Sequence, residues 1–376
     1  MRKPFHDHPF DQETKIKLEI FRLYVRAWLP VMLTRPADGR KPYTRANIFD
    51  FFAGPGRDLL GVPGSPLIVQ EEIKAYCRTR GALKGNVTVR MVFNDIDEEK
   101  VTRLKETLGE SLCPKDCCCY EFLNLPFEAA LAKTLPSMRA WGEAKLVILD
   151  QCGVTEVTPA TVKTLIDCGA TDVLFFISSS FLRRFAAEPE MQTKFAIPPD
   201  LPKIEENDTI HRYICQHFQD ELTGTGIELA PFSLKKGPNV YGVIFASAHL
   251  SGLERFLSVC WKIDPHTGEA NFNIEGDPAY ARQGVLFSDP GRMTKTDRFE
   301  RDILDFMALR SPTNPALYRF CLEQGFPAVK ANESLRRLQK TGKLQVLNAL
   351  DGGPARKGSF YLQEDELKAV FKAQKS

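Results

Sequence analysis

Ile48-Phe49-Asp50-Phe51-Phe52-Ala53-Gly54-Pro55-Gly56, followed by Gly61-Val62-Pro63-Gly64-Ser65-Pro66-Leu67-Ile68, is the stretch whose reading decides the fold of this chain. An apolar run of strand length ends in an acidic residue, breaks into glycines and re-enters a helix at Ser65-Pro66. Ser is a good N-cap and Pro is tolerated at the first helical position. A strand, a glycine turn and a helix start together form a concave wall of backbone N–H groups that a ligand can approach closely.

Working outward, the pattern repeats. Apolar runs at 87–93, 117–123, 145–149 and 172–177 read as strands, and helical stretches at 65–80, 98–108, 127–135 and 159–168 separate them. Strands that are near-continuous apolar runs, alternating with helices, predict a doubly covered parallel α/β sheet. Before it, residues 11–33 read as a helix with Ile16, Ile20, Leu23 and Ala27 on one face and Phe21, Tyr24 and Trp28 widening the stripe. It is expected to cover the sheet edge. Residues 181–235 are more polar and read as an insertion; 239–248 form a further strand, and 251–261 a helix. The expected domains are 1–290, carrying that insertion, and 298–376, with 268–290 a linker punctuated by Gly, Pro and Asp.

The chain of 376 residues exceeds a typical single domain, and 43% hydrophobic with 26% charged residues is an ordinary globular composition. Met1-Arg2-Lys3-Pro4-Phe5-His6-Asp7-His8 has no apolar core, so no signal peptide is expected. No run reaches the length of a membrane span. A cytoplasmic protein without membrane contact is the expectation. Cys113, Cys117, Cys118 and Cys119 invite a metal reading, but no His lies beside them and no second Cys pair sits at zinc-ribbon spacing. They read instead as small hydrophobes at the start of a strand, and no metal site is expected. The formal net charge is +2, unevenly spread: residues 298–376 carry 14 Lys/Arg against 9 Asp/Glu, a net of +5. That excess hints at a polyanionic partner for the C-terminal segment.

In open α/β sheets the ligand sits beyond the carboxyl ends of the strands. Here those ends carry Asp50, Asp95 with Asp97, Asn124 and Asp150. A strand-end Asp is an ordinary turn former, but four such ends in order after a glycine turn point to a nucleotide-type ligand. A dinucleotide dehydrogenase wants three glycines at fixed spacing and an acid about twenty residues on. This chain has Gly54 and Gly56 without the third, and its acid comes about twice as far on. Asp50-x-Phe52-Ala53-Gly54-x-Gly56 resembles the first motif of Rossmann-like methyltransferases, in which the glycine turn lies against S-adenosylmethionine. That resemblance implies contacts from Asp50, Phe52, Ala53, Gly54 and Gly56. It also implies ribose contacts from Asp95 and Asp97, and adenine contact at Asn124.

Asp150-Gln151-Cys152-Gly153 falls where amino-group methyltransferases carry an Asp-Pro-Pro-aromatic or similar motif, so Asp150 is the candidate catalytic residue. Gln151 replaces the Pro and Cys152 the stacking ring. Cys152 reads as a structural cysteine rather than a nucleophile. His249 follows the 239–248 strand, and either faces the site or completes a turn.

From Arg298 the register changes: a helix carries Phe299, Ile303, Leu304 and Phe306, a second starts at Asn314-Pro315, and a third starts at Pro327 with Val329, Leu335 and Leu338 inward. Short strands at 344–347 and 359–362 flank Asp351-Gly352-Gly353-Pro354-Ala355-Arg356-Lys357. Three helices and a hairpin with a basic tip resemble a winged helix-turn-helix domain. Lys330, Asn332, Arg336, Arg337 and Lys340 on the third helix, with Arg356 and Lys357 on the wing, are the candidate contacts to DNA or RNA. A solvated face of a protein-docking module is the competing reading.

Taken together, Lys15 to Trp28, Asp50-Phe51-Phe52-Ala53-Gly54-Pro55-Gly56, Gly64-Ser65-Pro66-Leu67, Asp95-Ile96-Asp97, Ala246-Ser247-Ala248-His249 and Trp261-Lys262-Ile263-Asp264 resemble the three-Cys-motif partner protein (TcmP) family over most of residues 11–275. The resemblance implies an S-adenosylmethionine-dependent methyltransferase-like protein and a separate three-Cys-motif protein as a possible partner. Nucleic acid presented by the winged helix is the expected substrate. A non-catalytic nucleotide-sensing or partner-binding protein is the alternative.

Overall fold

The computed structural model describes residues 9–33, 43–80, 88–109, 118–151, 156–178, 189, 210–237, 239–274, 276 and 293–374. The chain divides into two compact units, residues 1–252 and 253–376.

The first unit is built on a seven-stranded sheet of order β3-β2-β1-β4-β5-β7-β6. Its strands are β1 (Arg45–Asp50), β2 (Thr88–Asn94), β3 (Cys118–Leu123), β4 (Glu143–Leu149), β5 (Thr171–Ile177), β6 (Glu228–Lys236) and β7 (Asn239–Ser247). The first five are parallel, while β7 runs antiparallel to both β5 and β6. The helices are α1 (Gln12–Leu33), α2 (Ser65–Arg80), α3 (Glu98–Gly109), α4 (Phe127–Met138), α5 (Pro159–Ile166) and α6 (Ile210–Glu221), followed by α7 (Leu250–Ile263), whose residues from Leu253 onward belong to the second unit. Every residue of β4 from Ala144 to Leu149 is buried, the pattern of a strand covered on both faces. Phe49, Phe51, Val147, Leu149, Phe175 and Phe218 share one apolar core.

Two expectations are corrected here. Residues 210–236, read as part of an insertion, supply helix α6 and edge strand β6 of the main sheet. Their polarity belongs to an edge, whose outer side needs no apolar partner. The rest of that segment lies outside the described residues, except Pro189. In α1 the buried face is rotated: Phe21, Tyr24, Val25 and Trp28 are inside, whereas Ile16, Leu23 and Ala27 are only partly covered. The deep face also carries a charge, Lys17.

The second unit holds α8 (Lys295–Arg310), α9 (Asn314–Glu323), α10 (Ala328–Lys340), β8 (Leu344–Asn348) and β9 (Ala369–Ala373). Helix α8 begins at a capping box in which Thr294 and Asp297 exchange side-chain and backbone hydrogen bonds. Phe299, Ile303, Leu317, Cys321, Leu335, Leu338 and Phe371 form its core. This is a winged helix-turn-helix, with two corrections. The partner of β8 is β9, not residues 359–362. Phe360 is buried in the core and Tyr361 has φ 50°, so that segment is held by packing and cannot run as a strand. The wing is therefore the long excursion 349–368. Val329 is 66% exposed, and the inner face of α10 is Ala331, Ser334, Leu335 and Leu338.

Candidate functional site at the sheet edge and a candidate nucleic-acid face

Strand order proceeds from β1 toward β2 and β3 in one direction and from β4 toward β5 in the other, which makes the gap between β1 and β4 the topological switch point. Asp50 ends β1 and Asp150 follows β4 immediately, so the two carboxylates flank that gap.

The turn after β1 is tightly specified. Gly54 and Gly56 have φ of 64° and 87°, values that favour residues without a Cβ. Ala53 N–H donates to Asn94 O at 2.9 Å, and Gly54 N–H donates to Asp95 Oδ2 at 3.0 Å. Gly64 N–H donates to Gly56 O at 2.7 Å, folding the turn back onto the start of α2. A Cβ on Gly64 would stand 3.3 Å from Gly56 O. Ser65 does not occupy the N-cap expected of it: Gly64 O accepts the first helical bond, from Ile68 N. Ser65 instead puts its hydroxyl beside Asp50. Phe52 stacks on Phe127 at 5.3 Å beneath the turn.

Asp50 is completely buried. Its Oδ1 accepts the Phe52 amide at 3.2 Å, and its Oδ2 has no hydrogen-bond partner. Burial, with added repulsion from Asp150 and Asp95, raises its pKa to about 7 against the opposing pull of Ser65 and the Phe52 amide. The Asp50 carboxyl thus keeps one oxygen with open hydrogen-bonding capacity at the switch point, beside the glycine turn.

The other strand-end residues are brought to the same rim, but with their side chains partly committed. Asp95 accepts from Gly54 N and Asp97 N, one amide per oxygen. Asp97 caps α3, its Oδ1 accepting from Glu99 N at 3.0 Å, and its Oδ2 faces Lys100 only at 3.9 Å. Asn124 donates to the carbonyls of Asp95 and Ile96 at 3.0 Å each, pinning the loop after β2. These residues set the shape of the rim as much as they offer it to a ligand.

Asp150 is already occupied. Lys17 Nζ lies 2.6 Å from both of its oxygens, and the same ammonium sits 4.4 Å from the Phe176 ring centroid. Lys17 was not among the residues expected from sequence; a lone Lys in an otherwise apolar helix face was the available signal. Gln151 is buried, with its amide oriented to Phe176 O and Glu156 N. Cys152 and Gly153 lie outside the described residues, as do Cys113 and Cys117. Cys118 is buried and Cys119 exposed. Among the described residues, no group of three or more His, Cys, Asp or Glu is placed to hold a metal ion. His249 is exposed, and its backbone N–H donates to Ser247 Oγ. Among the described residues, no helix is long and apolar enough to cross a membrane.

Asp58, in the loop between the turn and α2, collects the amides of Phe10, Leu60 and Val62. Burial acts to raise its pKa, but those amides outweigh it and hold the carboxyl below its ordinary value. The loop and the residues preceding α1 are thereby tied together.

In the second unit the candidate cations separate into two groups. Lys330 reaches Glu333 at 3.3 Å and lies 5.4 Å from the Trp261 ring. Arg337 donates to Glu300 at 2.6 Å and to Ser334. Asn332 Oδ1 is buried without a partner. Arg336, Lys340, Arg356 and Lys357 are exposed and unpaired among the described residues. The start of α10 is docked on α7: Glu254 accepts Tyr318 Oη at 2.7 Å and Ala328 N–H at 3.3 Å, and Trp261 Nε1 donates to Gly325 O at 2.8 Å.

The first unit thus has a Rossmann-like α/β sheet, with β7 antiparallel between β5 and β6, and the second is a winged helix-turn-helix. A family model described as the GMT-like wHTH domain matches residues 272–350. No curated protein matches the chain. Among solved structures, the chain is similar to the SAM-dependent methyltransferase from Agrobacterium tumefaciens (10% identity over 63% of this chain and 62% of that one, TM-score 0.33). It is also similar to the O-methyltransferase TomG from Streptomyces achromogenes, solved in complex with SAM (10% identity, 63% and 90%, TM-score 0.34). A third is Trm1 from Pyrococcus horikoshii, solved with S-adenosyl-L-methionine (10% identity, 66% and 59%, TM-score 0.33). The chain spans less than two thirds of the Agrobacterium and Pyrococcus proteins. At such identities and TM-scores no residue role transfers.

Proposed function

We propose that this is a cytoplasmic S-adenosylmethionine-dependent methyltransferase-like protein acting on nucleic acid bound by its winged helix. The observation that carries the reading is the orphaned Asp50 Oδ2 at the switch point, beside a glycine turn folded onto a helix start. The residues fit the cofactor: Asp50 offers an acceptor to an ammonium or hydroxyl, and Ala53 to Gly56 admit close approach of a flat or charged group to backbone. Asp95, Asp97 and Asn124 form the far rim. When bound, S-adenosylmethionine supplies an activated methyl group on a sulfonium. Asp150, aimed by Lys17, orients the acceptor. The resemblance to the three-Cys-motif partner family supports the cofactor and adds a three-Cys-motif protein as partner.

Calorimetric titration of the full chain with S-adenosylmethionine tests this. Saturable binding is expected, weakened at least tenfold in Asp50→Asn and Gly56→Ala; absence of binding by the wild type overturns the reading.

One observation favours a second reading. Both oxygens of Asp150 are already engaged by an internal cation, as befits a nucleotide-sensing or partner-binding protein without turnover. Binding of S-adenosylmethionine with no labelled methyl transferred to duplex or single-stranded nucleic acid would select it.

A further inference from the structure

Five of the exposed cations of the winged helix, unpaired among the described residues, cluster at one end of α10 and on the wing. On α10, Arg336 and Lys340 are one turn apart on the same face, and Lys343 follows just past the Gly342 turn that ends the helix. Gly358 N–H donates to Gln339 Oε1 at 3.1 Å, docking the wing against the last turn of α10. That contact brings Arg356 and Lys357, the two residues before Gly358, beside the same helix end. All five side chains are exposed, and none has an ion pair or side-chain hydrogen bond among the described residues. Other cations of the unit are spent internally, Lys330 on Glu333 and Trp261, Arg337 on Glu300, Lys368 on Glu366 and Arg310 over Phe306, whereas Lys372 on β9 is exposed. Some of the nearby acidic residues are engaged, while Glu364 and Asp365 at the far end of the wing are exposed. Glu333 pairs with Lys330, Asp351 Oδ1 accepts the Gly353 amide, and the Glu366 carbonyl is held by Asn314 at the α9 end of the wing.

The first turn of α10 is closed by contrast. Glu254 sits on the Ala328 amide, so a carboxylate already occupies the helix start where a phosphate would bind. Lys330 is folded onto Trp261, and Asn332 is half-buried. The two residue types suited to reading base edges from the front of the helix are therefore turned from it.

We infer that the wing and the C-terminal end of α10, through Arg336, Lys340, Lys343, Arg356 and Lys357, grip the phosphate backbone of a nucleic-acid duplex with little reading of base sequence. This rests on the nucleic-acid part of the proposed function and moves its contacts away from the front of the recognition helix. Lys343 joins the set, and Lys330, Asn332 and Arg337 leave it. Cations that meet phosphates release counterions, so affinity falls with salt in proportion to the contacts made.

The test is fluorescence anisotropy of the full chain with labelled 25-base-pair DNA and RNA duplexes from about 50 to 200 mM KCl, each in two unrelated sequences. The expected result is binding to at least one duplex type, equal within threefold between sequences. Arg356→Ala/Lys357→Ala and Arg336→Ala/Lys340→Ala/Lys343→Ala should each weaken binding at least tenfold and flatten the salt dependence by about 0.9 per lost phosphate contact for DNA. Lys330→Ala/Asn332→Ala should stay within twofold of wild type. The stronger of the two duplexes identifies the source of the backbone. If Lys330→Ala/Asn332→Ala abolishes binding while the wing variant binds normally, or if one sequence is preferred tenfold, this placement is overturned and the nucleic-acid reading stands. If the wild type binds neither duplex at 50 mM KCl, the nucleic-acid reading itself fails.

Discussion

Lys17 Nζ lies 2.6 Å from each carboxylate oxygen of Asp150, a contact between residues 133 positions apart in the chain. One helix makes it possible. Further along α1, Tyr24 Oη donates to Asp172 near the start of β5, at 2.8 Å. Seven helical residues span about 10 Å, and the four strand residues separating the level of Asp172 from that of Asp150 span about 13 Å. Helix α1 therefore runs against the strand direction and delivers its N-terminal half to the carboxyl edge. The Lys17 and Asp150 side chains are only 7% and 18% exposed, so each is the other's principal compensation.

Lys17→Ala should destabilise the protein by roughly 2–3 kcal/mol, below the cost of a fully buried orphan because Asp150 keeps some water. Urea unfolding of Lys17→Ala, Asp150→Asn and the double variant checks it. The double variant should lose clearly less than the sum of the singles. Strict additivity would show that the pair is not coupled.

Asp50 gives stability a pH dependence of defined sign. Its folded pKa, about 7, lies above the 3.8 of the free side chain, so the folded state holds the proton more tightly. The associated stabilisation is complete below about pH 4 and is lost as pH rises toward and through 7, on the order of a few kcal/mol. Asp50→Asn removes this dependence, so its stability relative to wild type should rise between pH 5 and pH 8. Chemical denaturation at the two pH values measures the difference; a parallel response of both proteins counts against the buried acid.

Gly56→Ala should cost about 1–2 kcal/mol, because φ of 87° strains any residue with a Cβ. The new Cβ would also stand 2.8 Å from Leu104 Cδ1, a side-chain end able to yield. Stability should suffer modestly and ligand affinity more, since the turn shapes the site. Comparing the melting shift with the calorimetric Kd separates the two effects.

Glu254→Ala should lower the melting temperature of the winged-helix unit by removing the acceptor for Tyr318 Oη and the Ala328 amide. Leaving two partly buried donors unpaired costs about 1–3 kcal/mol. Tyr318→Phe, which removes one donor and leaves the carboxylate on Ala328, should cost less. An equal loss in both variants would mean the cap contributes nothing. Burial of the phenol and the adjacent Glu254 carboxylate raise the Tyr318 pKa well beyond its usual range, so the contact should persist to alkaline pH.

Much of this architecture was legible because its signals are local. A strand ending in Asp50 and breaking at Gly54 and Gly56 forms its turn from neighbouring residues, and the helix and strand periods persist wherever the core lies. Strand β6 is hard to see in the sequence because an edge strand of mixed polarity, next to polar residues, has the composition of an insertion. The wing strand was misassigned because 359–362 and 369–373 are both short apolar runs, and only the packing of Phe360 decides between them.

By itself, the sequence determined the alternation of strands and helices from β1 to β5, the glycine turn at Asp50 and the three helices of the winged domain. All are set by periodicity and backbone preference within a few residues. Only the tertiary structure decided the charges. It placed Lys17 on Asp150, left Asp50 Oδ2 without a partner and divided the winged-helix cations into spent and free. Such pairings depend on which distant segments pack together, and residue spacing along the chain does not encode that distance.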